Sequence, residues 1–199
     1  DRGGEELRRR HGEAGAEGGT LVKAANGGNV TIKGIANLTA DKEKGVMAGI
    51  LADGGKVELG GGTIEAVGGM EGDNNVIYAM GGGEVKVGHG KDIATNITGD
   101  IAVDNNSRAD IKLHGPNSRW RGAFVNPVSF FRMRSLDVAD NNVTLDNGSV
   151  WEATSSVAQT LQSLRGGSTA DAAGILNMVD NSGDITIENY SGNTVVWYD

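Results

Sequence analysis

Four short segments, Asn29-Val-Thr-Ile-Lys-Gly34, Lys56-Val-Glu-Leu-Gly-Gly61, Glu84-Val-Lys-Val-Gly88 and Asp110-Ile-Lys-Leu-His-Gly115, repeat one pattern of alternating polar and apolar residues closed by glycine. Their first apolar residues, Val30, Val57, Val85 and Ile111, follow one another at intervals of 27, 28 and 26 residues. Weaker copies come later as Asn142-Val-Thr-Leu-Asp146 and Asp184-Ile-Thr-Ile-Glu188. Repeats of this length signal a solenoid, in which each unit buries its apolar face only by stacking on the next. Glycine pairs precede the first three copies, at Gly27-Gly28, Gly54-Gly55 and Gly82-Gly83, so turn chemistry recurs in phase with the strands.

The period of two and the Val, Ile and Leu at the apolar positions describe a strand with one buried and one wet face. Glycine, Asn and Asp interrupt the chain every few residues, which excludes helical repeats over most of it. Further strands are expected at Gly62-Thr-Ile-Glu-Ala-Val67, Val76-Ile-Tyr-Ala-Met80 and Gly99-Asp-Ile-Ala-Val103, giving two or three per coil. The expected fold is all-β, a right-handed parallel β-helix, because crossover connections favour that hand. Val30, Ile32, Val57, Leu59, Val85, Val87, Ile111 and Leu113 should point inward and stack in equivalent positions, followed by Val143, Leu145, Ile185 and Ile187, with Trp120, Trp151 and Trp197 as large core residues. Leucine-rich repeats lack their leucine and asparagine frame here. The calcium-binding nonapeptide is matched only superficially by Gly81-Gly82-Gly83-Glu84.

Residues 1–19 are charged and glycine-rich and read as a flexible lead-in, with Arg8-Arg9-Arg10 a solvated charge run. A single β-helix domain is expected over 20–199: regular coils at 20–115, an irregular coil with an insertion at 116–142, and closing coils at 143–199. Phe130, Phe131 and Met133 are expected to cover the side of the column. Over 155–165, Val157, Leu161 and Leu164 have helical spacing behind Ser155. The surrounding strand repeats favour an irregular strand there, since tertiary stacking overrides so short a helical signal.

The chain has 199 residues, 33 glycines, no cysteine and a formal charge of −8. Lys and Arg are scattered among the strands, which argues against a nucleic-acid partner. Disulfide and thiol chemistry are excluded, and no apolar run reaches the length that spans a bilayer. Glu58, Glu65 and Glu84 are outward carboxylates with Lys56 and Lys86 beside them, and read as ordinary solvated strand faces. His89 and His114 lie about one coil apart without a third ligand at a recognisable spacing, so neither a metal nor a cofactor is expected. Nucleophile-elbow motifs are missing too.

A second repeat is more specific. Ile111-Lys-Leu113 leads to Ser118-Arg-Trp120-Arg-Gly122, and Val143-Thr-Leu145 leads to Ser149-Val-Trp151-Glu-Ala153. Together with Ala173-Gly-Ile-Leu-Asn-Met178, Gly183 to Gly192 and Val195-Val-Trp-Tyr198, this resembles the passenger domains of bacterial autotransporters, the monomeric type V secretion proteins. The resemblance covers about Thr20 to Tyr198. It implies a β-helical passenger on the surface of a Gram-negative cell, with an outer-membrane β-barrel expected after Asp199. It also implies that 143–199 act as an autochaperone-like region, and that the segment is a non-catalytic stalk and adhesion surface meeting a host or neighbouring-cell protein or glycan. An Arg-Gly-Asp tripeptide and a Gly-Asp-Ser-Gly protease motif, known from virulence members, do not occur. The alternative is a β-helical lyase or hydrolase that degrades polysaccharide.

Overall fold

The computed structural model describes residues 19–69, 74–127, 139–179 and 182–198. Phe130, Phe131 and Met133 lie outside the described residues, as do residues 1–18 of the lead-in. The protein is all-β and solenoid-like, and every ladder between its strands is parallel.

One sheet stacks β1 (Gly19–Ala25), β3 (Val46–Asp53), β5 (Asn75–Met80), β8 (Asp100–Val103) and β11 (Phe124–Val125). The larger sheet is curled. From β4 (Lys56–Val67) one arm runs through β6 (Glu84–Val87), β9 (Arg108–His114), β12 (Asp140–Asp146), β14 (Gln159–Arg165) and β16 (Ile185–Ser191). The other arm runs through β7 (Thr95–Thr98), β10 (Arg119–Gly122), β13 (Val150–Ala153), β15 (Gly174–Met178) and β17 (Thr194–Tyr198). The pairing explains the curl: Lys56 to Leu59 of β4 face β6, whereas Gly62 to Glu65 face β7. β2 (Asn29–Asp41) lies beneath β4 and shifts register between Ile32 and Ile35, at the same bend. Gly60 and Gly61 make the bend possible, since a Cβ on Gly60 would stand 2.3 Å from the Lys33 carbonyl oxygen.

Three apolar columns run through the interior. Val22, Ile50, Ile77, Ile101 and Phe124 form one on the smaller sheet. Ile32, Leu59, Val87, Ile111, Val143 and Leu164 form the second, and Leu38, Ile64, Ile97, Trp120, Trp151 and Leu176 the third; Tyr190 and Val196 continue these registers but are exposed on the end strands. Val57, Leu59, Val85, Val87, Ile111, Leu113, Trp120, Val143, Leu145 and Trp151 are all buried. Val30, Ile32, Ile185 and Ile187 are only partly buried, because among the described residues their strands have a neighbour on one side alone.

Two expectations need correction. Val85 stacks on Ala109, and Ile111 stacks on Val87, so the register from β6 to β9 is displaced by two residues from the one the repeat implies. The displacement is set at the Asp104 turn, where Ser107 Oγ donates to Asp104 Oδ1 and the amides of Gly81 and Gly82 donate to Asp104 and Ser107. Trp197 is not a core residue. In register the counterpart of Trp120 and Trp151 is Val196, and β17 ends its arm among the described residues, so Val196 is 47% exposed and Trp197 52%.

Residues 159–165 form a strand, as expected from their surroundings, and Ser155 Oγ accepts from the Val157 amide in the turn before it. The Asp41 to Gly45 loop closes as a single 3-10 turn with Gly45 left-handed.

Candidate functional site: the outer face of β4, β6, β9, β12 and β14

The serine-tryptophan repeat turns inward and is structural. Trp120 and Trp151 stack with ring centroids 4.6 Å apart and planes 4° from parallel. Their indole Nε1 atoms donate to the carbonyls of Gly99 and Gly122, each at 3.0 Å. Ser118 Oγ donates to His114 O and Ser149 Oγ to Leu113 O, so each serine ties the turn back to the end of β9. The Thr95 amide donates to Ser118 Oγ and joins the coil below. The motif therefore builds the corner between the two arms of the curled sheet. Trp120, Trp151 and Ser149 are wholly buried, and Ser118 almost so.

Chemistry-bearing side chains gather on the outer surface of the other arm. Period-two alternation puts Glu58, Lys86, Asp110, Asn142 and Ser163 in one outward column. Lys56, Glu84, Arg108 and Asp140 form the next. Opposite charges alternate along the second and along Glu58, Lys86 and Asp110 of the first. Lys56 and Lys86 reach Glu84 at 2.9 and 3.1 Å, and Arg108 reaches Asp140 at 3.3 Å and Asp110 at 3.8 Å. Hydrogen bonding from Lys56, opposed by partial burial and aided by Lys86, holds the Glu84 carboxyl below its ordinary range. The Asp110 carboxyl is also lowered, chiefly by its hydrogen bond with His89 at 3.4 Å. Such exposed pairs fix register and orientation more than they add stability.

Two of the three expected outward carboxylates come together. Glu58 and Glu84 share this face, but Glu65 lies beyond the β4 bend, where Thr39 Oγ1 donates to it at 2.9 Å. His89 faces Asp110 and His114 faces Asp146, so each histidine is engaged by a carboxylate of the following coil. Among the described residues no group of three or more His, Asp or Glu side chains is placed to hold a metal ion.

Further along the same arm the compensation stops. Lys112, Thr144 and Arg165 are direct neighbours across β9, β12 and β14. Neither cation has a carboxylate partner among the described residues. They line a depression of about 420 Å³ whose other walls include Asp110, Asn142 and Ser163. Asn142 Nδ2 donates to Asp140 Oδ1, and Ser163 Oγ donates to Asn142 Oδ1, so these groups fix one another's orientation. A second depression of about 310 Å³ adjoins it, sharing Lys112 and bringing Lys91, Asp92 and Asn117. Sequence reading missed this column, because its members are spaced by 32 and 21 residues and meet only through the register.

No family model, curated protein or solved structure matches the chain.

Proposed function

We propose that the chain is a passenger segment of a bacterial autotransporter, displayed on a Gram-negative cell surface and anchored through a membrane β-barrel. In this reading it is a non-catalytic stalk whose outer faces meet a host or neighbouring-cell protein or glycan. The coil is right-handed, the hand that crossover connections favour. The observation that carries the reading is the stacked pair of serine-tryptophan turns, Ser118 to Trp120 beneath Ser149 to Trp151, since the resemblance rests on that motif and the motif occupies equivalent positions in successive coils.

Glycan cleavage needs two carboxyl groups flanking one bond, one of them protonated, and of Glu58, Glu65 and Glu84 only Glu58 and Glu84 share a face. Glu84, held ionised by Lys56 and Lys86, is a poor general acid. The last coils present the open edges of β16 and β17, with Tyr190, Val196 and Tyr198 exposed, and in this reading they template the folding of adjoining coils.

The test is display. With an epitope inserted in the Asp41 to Gly45 turn and the full reading frame expressed in a Gram-negative host, antibody should label intact cells and external protease should remove the label. An epitope that stays inside the cell and is resistant to external protease would overturn the proposal.

A further inference from the structure

The geometry points to a binding site for an acidic polysaccharide on the outer face of β9, β12 and β14, with Lys112, Thr144 and Arg165 gripping one sulfate or carboxylate group. The inference rests on reading this face as an interaction surface, and names its ligand class.

The argument begins with charge. In a chain of formal charge −8, most cations of this face are neutralised: Lys56 and Lys86 by Glu84, Arg108 by Asp110 and Asp140. Lys112 and Arg165 break the pattern, with Thr144 between them where a carboxylate would have completed the ladder. Strand spacing of about 4.8 Å sets their backbones roughly 10 Å apart, a distance that a lysine and an arginine close readily on an anion held between them. The Thr144 hydroxyl, half-buried at the centre of the column, adds a third donor. Ammonium, guanidinium and hydroxyl together match the oxygens of a sulfate or carboxylate, with the arginine fork supplying paired hydrogen bonds.

The surroundings favour a sugar as the carrier of that anion. Asn142, Ser163 and Asn117 offer amide and hydroxyl groups suited to sugar hydroxyls, and the two depressions have Lys112 as a common wall. A nucleic acid fits poorly. It requires aromatic platforms on which bases stack, whereas among the described residues the aromatic side chains lining the two depressions are His89 and His114, each engaged by an aspartate.

The experiment is calorimetric titration of the purified chain with four probes: a sulfated glycosaminoglycan oligosaccharide, an oligogalacturonate, a neutral dextran oligomer and duplex DNA. Binding of one or both acidic sugars is expected, weakening with salt, and the stronger of the two identifies the anion. Dextran and DNA should not bind. K112Q/R165Q should lower affinity by at least about tenfold, the loss of two charge-assisted contacts. K23Q/K33Q, an equal charge change on the first coil, should leave it unchanged. T144V tests the same column without altering charge and should weaken binding severalfold. No acidic sugar binding, equal losses in both double variants, or DNA binding that depends on Lys112 would each overturn the assignment. Failure of display would leave sugar binding by the purified chain untouched, and failure of sugar binding would leave display untouched.

Discussion

Removing the Trp151 side chain tests the stacked interior at its most concentrated point. The ring is fully buried, lies flat on Trp120, meets Phe124 edge-on at 6.1 Å and donates to the Gly122 carbonyl. Trp→Ala in a packed core costs about 3 to 5 kcal/mol, and the upper end applies here because the rigid strand ladders on either side cannot collapse into the void. That is a large share of the roughly 5 to 15 kcal/mol by which domains are usually stable. Trp151→Phe keeps most of the ring and removes the Nε1 donor, so about 1 to 2 kcal/mol is expected. A double-mutant cycle with Trp120→Ala should show a coupling of about 0.5 to 1.5 kcal/mol for the aromatic stack. Urea unfolding followed by far-ultraviolet circular dichroism measures all three. A loss below about 1 kcal/mol for Trp151→Ala, together with zero coupling, would refute the stacked arrangement.

Three further predictions rest on single sites. Gly88→Ala should be far more destabilising than Gly82→Ala: both are left-handed, but a Cβ on Gly88 would stand 1.9 Å from the Lys112 carbonyl oxygen while one on Gly82 meets nothing within 4 Å. Thermal melts should show only about 1 kcal/mol for Gly82→Ala, the conformational cost alone. Acid titration should separate two aspartates. Burial raises the Asp100 carboxyl above its ordinary 3.8, so its ionised form costs stability near neutrality. Asp100→Asn, which can still accept from the Ala123 amide, should match or exceed the parent at pH 7 and lose that advantage as acid protonates Asp100. Asp110 behaves oppositely: its lowered carboxyl contributes stability above pH 3.8, so the deficit of Asp110→Asn should vanish only as pH falls through the lowered value. Leu59→Asp should prevent cooperative folding, because it places an unpaired charge at a wholly buried position, and native-like melting would contradict the assigned column.

Much of the architecture was legible because the alternation in Val57 to Leu59, Val85 to Val87 and Ile111 to Leu113 reports which residues face inward without needing long-range information. The same alternation is blind to a shift of two, since every second residue is apolar, and so it misaligned Ile111 with Val85. Local hydrogen bonds at Asp104 and Ser107 decide between the two registers. Trp197 misled for another reason: its size suggests the core, but β17 is the end strand of its arm among the described residues and exposes both faces. The Lys112, Thr144 and Arg165 column was invisible for want of register, and the inward turn of Ser118 and Ser149 became clear only from their bonds to the end of β9. Local alternation picked out the inward residues of the middle coils, while Val30, Ile32, Ile185 and Ile187 on the end strands are only partly buried.

Register is also the most direct test of the account, and a chain without native cysteine suits it. Lys86 and Asp110 are cross-strand neighbours, whereas Lys86 and Lys112 are offset by two residues along the strand. Adjacent backbones near 5 Å apart lie within disulfide reach, roughly 4.4 to 6.8 Å between Cα atoms, and a two-residue offset moves them beyond it. With cysteine pairs at 86 and 110 and at 86 and 112, mild oxidation followed by intact-mass measurement of remaining thiols should show rapid closure of the first pair and little of the second. Closure of the 86 and 112 pair in preference to 86 and 110 would contradict the assigned stacking of the coils.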